Sequence, residues 1–213
     1  WPDLVISAGR RASSVARYIK RQSGGRSFIC QIMYPGSGPA ADLDLIIVPS
    51  HDQIAGDNIS SIVGAPNLIT EKRLMEARSK WQEQFSRLPK PIIGLIVGGA
   101  NKNMPFGTNQ TQELASHIAR YHGISGGSLI VTTSRRTGEA TETLFEDLAG
   151  TNCEPSFSYR WGDSGPNPYI GMLAHADTLI VTGDSVSMLS EACAAPGNVY
   201  VYVPTAFSGA KHR

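Results

Sequence analysis

Thr178–Glu191, TLIVTGDSVSMLSE, sets a hydroxyl-rich helix start directly after an apolar run. Leu179-Ile180-Val181 reads as a buried strand. Gly183 permits a sharp turn, and Asp184 or Ser185 supplies the N-cap of the helix that follows. Val186, Leu189, Ala192 and Cys193 form the inner stripe of that helix, which leaves Asp184, Ser185 and Ser187 about its N-terminus. Such a terminus presents unpaired N–H groups and a partial positive charge, which suit a phosphate. Glu191, two turns in, is within reach of a sugar hydroxyl. The spacing points to a nucleotide-type ligand.

Three further segments carry groups of the same kind. Gly98-Gly99 ends the run Ile92–Val97 and lets backbone approach a ligand closely; a plain strand-to-loop turn explains the pair equally well. Thr132-Thr133-Ser134-Arg135-Arg136-Thr137-Gly138 follows the next strand, at the edge where ligands of open α/β sheets collect. Arg135 and Arg136 are suited to hold phosphate, and Thr133 and Ser134 to hydrogen-bond it or to cap a helix near Thr141. Trp161-Gly162-Asp163 to Asn167-Pro168-Tyr169 is polar, glycine-rich and aromatic, with Asn167 as a helix-start signal for 169–176. Loops of this kind surround a base or a sugar ring, or are simply good turns. His51 beside Asp52, after the strand 45–48, is a candidate general base, although sequence neighbours in an extended chain point apart. The other histidines, His117, His122 and His175 among them, lack metal-ligand spacing. The glycine pattern is neither a Walker A loop nor G-x-G-x-x-G, and no H-E-x-x-H occurs. These absences argue against a P-loop NTPase and an ordinary dinucleotide dehydrogenase, and together with the histidine spacing against metal catalysis.

The elements that must position these groups alternate. Strand-like runs recur at 4–8, 27–32, 45–48, 92–97, 129–133, 178–182 and 199–203. Between them lie helical stripes: Ala12, Val15, Ala16 and Ile19; Leu74, Ala77, Trp81, Phe85 and Leu88; Leu114, Ala115, Ile118 and Ala119; Leu144, Phe145 and Leu148. Alternation of this kind predicts βαβ units, hence an α/β protein with parallel sheets covered by helices. Leu88-Pro89-Lys90-Pro91 is a stiff connector. It divides the chain into an N-terminal unit, 1–88, and a C-terminal unit, 89–213.

Net charge is +1 over 213 residues, so no broad field attracts nucleic acid or an anionic membrane. The basic residues cluster locally, and of these clusters Arg10-Arg11 and Arg135-Arg136 are the better anion candidates. Lys72, Arg73 and Trp81 suggest either a peripheral membrane contact or a core-packing stripe. Cys30, Cys153 and Cys193 lack metal-ligand spacing, and Cys30 and Cys193 read as small buried hydrophobes in a reducing, cytoplasmic setting. No apolar run approaches 18 residues. The chain opens at Trp1-Pro2-Asp3 without Met and stops at Lys211-His212-Arg213 soon after a strand, so a piece of a longer protein is expected.

The runs PDLVISAGRR (2–11), VTTSRRT (131–137), NPYIGMLA (167–174) and VTGDSVSMLSEAC (181–193) resemble the elongated-mitochondria fission-factor family. Its bacterial members often carry the description of a nucleoside-diphosphate-sugar epimerase. The family is similar to two-Rossmann-domain, GT-B type glycosyltransferases. That resemblance implies a GT-B-like fold truncated at both ends, lacking a strand and glycine-rich loop before Trp1 and a returning helix after Arg213. It further implies that the helix 185–194 holds a donor diphosphate, that Glu191 binds the donor ribose, and that Gly98-Gly99 faces the diphosphate. Ala195-Pro196-Gly197-Asn198 departs from the usual small-residue-Gly-x-Pro turn. An epimerase would need a nicotinamide and a Tyr/Lys pair, neither of which has a counterpart here.

The resulting expectation is a metal-independent GT-B-like glycosyltransferase without cofactor. A nucleoside-diphosphate sugar would be its donor, an unidentified acceptor its second substrate, and His51 or Asp52 its base. The alternative is a scaffold that binds a protein partner or a membrane surface, as plant relatives do in recruiting a dynamin-like fission protein.

Overall fold

The computed structural model describes residues 1–102 and 104–205, and the chain divides after Ala65 into two compact units. In the first, β1 (Leu4–Ala8), β2 (Phe28–Ile32), β3 (Leu45–Pro49) and β4 (Ile59–Ile62) form a parallel sheet in that order. Leu4 lies opposite Phe28, Cys30 opposite Leu45 and Ile46 opposite Ile59. Helix α1 (Gly9–Gln22) crosses from β1 to β2, and a short α2 (Ser37–Ala40) precedes β3. The core is Ala16, Ile29, Leu43, Ile46 and Val48. The buried face of α1 is rotated from the predicted stripe: Ser13 and Ala16 are buried, whereas Val15 is exposed. Burial of Ser13 is tolerated because its hydroxyl donates to the Arg10 carbonyl at 2.7 Å.

The second unit holds α3 (Glu71–Phe85), β5 (Ile92–Val97), α4 (Thr108–Ser125), β6 (Ser128–Thr133), α5 (Ala140–Gly150), β7 (Phe157–Tyr159), α6 (Tyr169–His175), β8 (Thr178–Thr182), α7 (Val186–Cys193) and β9 (Asn198–Tyr202). Its parallel sheet runs β7-β6-β5-β8-β9. All six residues of β5 are buried, as expected of a central strand covered on both faces. Ile93, Leu95 and Val97 point into one cluster with Leu114, Ile118 and Leu144 of α4 and α5. Ile92 and Ile96 point into the other, with Phe85, Met172 and Leu173 of α3 and α6. The alternation follows the period-2 pleat, and each fully buried Ile or Leu contributes about 1.5–3 kcal/mol.

Helix α3 and the proline connector lie inside this second unit, not on the far side of a boundary at residue 88. Trp81 stacks on Phe85 at 5.7 Å and meets Phe157 edge-on at 6.4 Å. Gly171 of α6 leaves room for the indole, since a Cβ there would overlap the Trp81 ring. Arg78 Nη1 donates to the Ala174 carbonyl at 3.1 Å, and Ser128 Oγ to that of Pro89 at 2.8 Å. An amphipathic stripe announces that a helix needs a partner but not which sheet supplies it. Cys193, read as part of the inner stripe of α7, is exposed; Ala192 takes the buried position beside it.

His175 closes α6, buried in this contact. Its Nε2 lies 3.0 Å from the Arg78 carbonyl and its ring meets Phe85 edge-on at 5.4 Å. Burial, helped by the nearby cations Arg78 and Lys90, holds the imidazole below the usual 6.5, against the carbonyl contact, which acts the other way. The unfolded chain therefore takes up the proton first. The stability contributed is complete above the unfolded pKa and is lost as pH falls through that value towards the lower folded one. A melting series from about pH 7 to pH 5 should show this slope, and His175→Asn should flatten it.

Candidate functional site

The strand order reverses between β5 and β8: the chain runs outward to β7 on one side of β5 and returns to β8 and β9 on the other. Open α/β sheets bind ligands beyond the carboxyl ends of strands at such a point. The segments that meet there in the second unit are Gly98–Asn101 after β5, Ser134–Thr137 after β6 and Gly183–Ser185 after β8.

Thr182 joins the first and third. Its Oγ1 accepts from the Gly98 N–H at 2.7 Å and donates to Asp184 Oδ1 at 2.6 Å. Asn101 Nδ2 donates to the Asp184 carbonyl at 2.9 Å. The second segment folds on the same turn: Ser134 Oγ donates to the Gly98 carbonyl, and Thr137 Oγ1 donates to Val97 and Gly98 carbonyls at 3.2 and 3.1 Å. Ser134 therefore serves this junction and does not cap α5, whose N-cap Glu139 makes no side-chain cap bond. Thr133 likewise accepts from the Trp161 N–H at 3.0 Å, which ties the Trp161 loop to the end of β6.

The paired glycines are required by packing. A Cβ on Gly98 would collide with the Asp184 carboxylate, and one on Gly99, at φ +118°, with the Arg136 backbone. Asp184 has no exposed side-chain surface, and its Oδ2 lies 2.6 Å from Arg136 Nη2. Burial raises the Asp184 pKa, opposed by the Thr182 hydroxyl and the Arg136 charge. Arg136 is thus committed to an internal acid, with 38% of its side chain still exposed. Arg135, beside it, is exposed.

Helix α7 begins where the sequence places it. Ser185 is the N-cap, its Oγ accepting from the Met188 N–H at 3.4 Å, and Ser187 is exposed in the first turn. Glu191, on the second turn, accepts at Oε2 from the Tyr169 hydroxyl at 2.6 Å. Asn167 Oδ1 accepts from the Tyr169 N–H at 2.9 Å and so fixes the start of α6. Gly98, Gly99, Thr133, Ser134, Arg135, Arg136, Asp184, Ser185 and Ser187 therefore collect around one strand edge, while Asn167 reaches Glu191 through Tyr169. His51 and Asp52 belong to the first unit, on the 3₁₀ turn Ser50–Asp52 after β3. His51 Nε2 lies 4.0 Å from Asp52 Oδ1, too far for a hydrogen bond.

Thr182, Thr137, Asn101 and Tyr169 carried no role in the sequence reading. The available signal was position: three are hydroxyl or amide side chains at the carboxyl ends of strands or in the loops that follow.

Two parallel-sheet α/β units, with a polar, arginine-bearing junction and a capped helix start at the switch point of the second, define a Rossmann-like protein of GT-B-like fold. A UDP-GlcNAc 2-epimerase from Methanocaldococcus jannaschii shares that fold, with a TM-score of 0.58 at 14% identity over 94% of this chain and 61% of that one. The chain belongs to the mitochondrial fission ELM1 family, whose model matches residues 1–213. It is 29% identical to the mitochondrial fission protein ELM1 of Arabidopsis thaliana over 94% of its own length and 51% of the plant protein's. It is also 29% identical to the uncharacterised protein RP120 of Rickettsia prowazekii (strain Madrid E), covering all of this chain and 68% of that protein. The chain thus spans about half the length of the plant relative. Among the described residues, no helix is long and apolar enough to cross a membrane.

Proposed function

We propose that the second unit is the donor-binding half of a metal-independent, GT-B-like glycosyltransferase that takes a nucleoside-diphosphate sugar. The observation that carries this reading is the meeting of the Ser185-capped start of α7 with the Ser134–Arg136 turn at the switch point. Arg135 supplies the cation for the diphosphate, and Arg136 adds what Asp184 leaves uncompensated. Glu191 takes the ribose hydroxyls. Catalysis of this type rests on stabilising the departing diphosphate while a base deprotonates the acceptor, and His51 or Asp52 is assigned as that base. The reaction is placed in the cytoplasm or at a membrane surface facing it.

Calorimetric titration with UDP, GDP and ADP tests the reading. One diphosphate should bind with Kd in the micromolar range, and Glu191→Ala and Ser185→Ala should each weaken it by about tenfold or more, the loss of a hydrogen bond to or from a charged group. Binding of none of the three would overturn it.

A second reading, a partner-binding scaffold, is favoured by a different feature. An apolar groove of about 640 Å³ runs between α4 and the edge strand β9, lined by Ile118, Tyr121, Ile124, Ile180, Tyr200 and Val201. Ile124 is 85% exposed, and Tyr200 and Val201 are about half exposed.

A further inference from the structure

We propose that Tyr169 is a positioning residue that sets the Glu191 carboxylate for a ribose, and so makes the site selective for ribonucleoside over 2′-deoxyribonucleoside diphosphates. The inference rests on the donor-site reading above and deepens it.

A glutamate on a helix surface samples several rotamers, and a ligand that uses it must meet the cost of fixing one. Glu191 is already fixed. The Tyr169 hydroxyl donates to Oε2 at 2.6 Å, the short distance expected of a bond to a carboxylate. Tyr169 is itself held at its backbone and at its ring. Its backbone N–H is bonded to Asn167 Oδ1 at 2.9 Å, and its ring packs on the cluster of Phe85, Met172 and Leu173. Burial, reinforced by Glu191, pushes the phenol well above its ordinary pKa, so it remains a donor throughout the working range. Helix α7 is fixed in turn by the Ser185 cap.

With Oε2 engaged, Oε1 is left as the acceptor for a vicinal diol. A site built to hydrogen-bond a hydroxyl rejects the analogue that lacks it, because the prepared acceptor is then buried under the ligand without a partner. A mobile carboxylate would turn to water instead and discriminate less. A tie serving only to hold α6 against α7 would affect folding stability and leave this discrimination unchanged.

The test is calorimetry on the 213-residue chain with UDP, GDP and ADP and their 2′-deoxy counterparts, for wild type, Tyr169→Phe, Glu191→Gln and the double variant, with melting temperatures alongside. Wild type should prefer the ribonucleotide by about tenfold or more, and Tyr169→Phe should reduce this to about threefold or less, mainly by weakening the ribonucleotide. Glu191→Gln, which leaves the packed ring untouched, should reduce the preference by itself, and adding Tyr169→Phe to it should change nothing further. A ribo-to-deoxy ratio unchanged in Tyr169→Phe, or retained in Glu191→Gln, overturns the positioning role while leaving the donor site intact. Failure of wild type to bind any of the three diphosphates overturns the donor-site reading and this inference with it.

Discussion

Replacing Gly99 by alanine should destabilise the second unit by about 3 kcal/mol or more, since strain at a positive φ adds to overpacking. The residue sits at φ +118°, and the new methyl group would enter the Arg136 peptide. That peptide belongs to a turn bonded three times to the end of β5, through Ser134 and Thr137. Little relaxation is available, because moving Arg136 also moves its guanidinium away from Asp184. The loss should appear as a lower denaturant midpoint with an unchanged slope. Gly123→Ala is the matched control. That glycine lies in α4 with nothing within 4 Å of an added Cβ, so the substitution should stabilise by about 0.5–1 kcal/mol through helix propensity. A destabilisation of similar size at both positions would contradict the packing account.

Arg136→Met should cost about 3 kcal/mol, the lower end of the range for removing one partner of a buried pair, because the guanidinium is partly exposed. The penalty comes from Asp184, which is left buried without its cation. The sign with pH follows. Burial already raises the folded pKa of Asp184, so its contribution is complete below the unfolded pKa and is lost as pH rises through the folded one. Removing Arg136 raises the folded pKa further. The variant should therefore be weakest near neutrality and approach wild type as acid protonates Asp184. Asp184→Asn added to Arg136→Met should recover much of the stability at neutral pH. A penalty independent of pH, or no recovery in the double variant, would show that the arginine acts through packing of its stem.

Most of the strand framework was legible because strands buried on both faces are continuous apolar runs, as Ile92–Val97 and Thr178–Thr182 are. The strands that escaped were β4 and β7. Ile59–Ile62 reads ISSI and Phe157–Tyr159 is three residues long; both are edge strands with one neighbour and too little apolar surface to show a pattern. The candidate site was legible at α7, where cap, turn glycine and helical stripe agree. It was only partly legible where one motif has two uses. Gly98-Gly99 and Arg136 were read as meeting a ligand, and the structure adds an internal use for each: the glycines make room for Asp184 and the Arg136 peptide, and the arginine pairs with that acid. No spacing rule relates Gly98 to Asp184, 86 residues apart. Only the pairing of β5 with β8 brings them together.

The three thiols of the chain are unequal. Cys30 and Cys153 are buried, and burial pushes both thiols up in pKa, whereas Cys193 meets solvent at the last turn of α7. Thiolate chemistry favours accessible groups, so the folded protein carries a natural attachment point for a maleimide dye without any engineering. That point lies two residues beyond Glu191 on the same helix, a spacing that turns it away from the carboxylate, so a fluorophore there would mark the protein without occupying the glutamate's face.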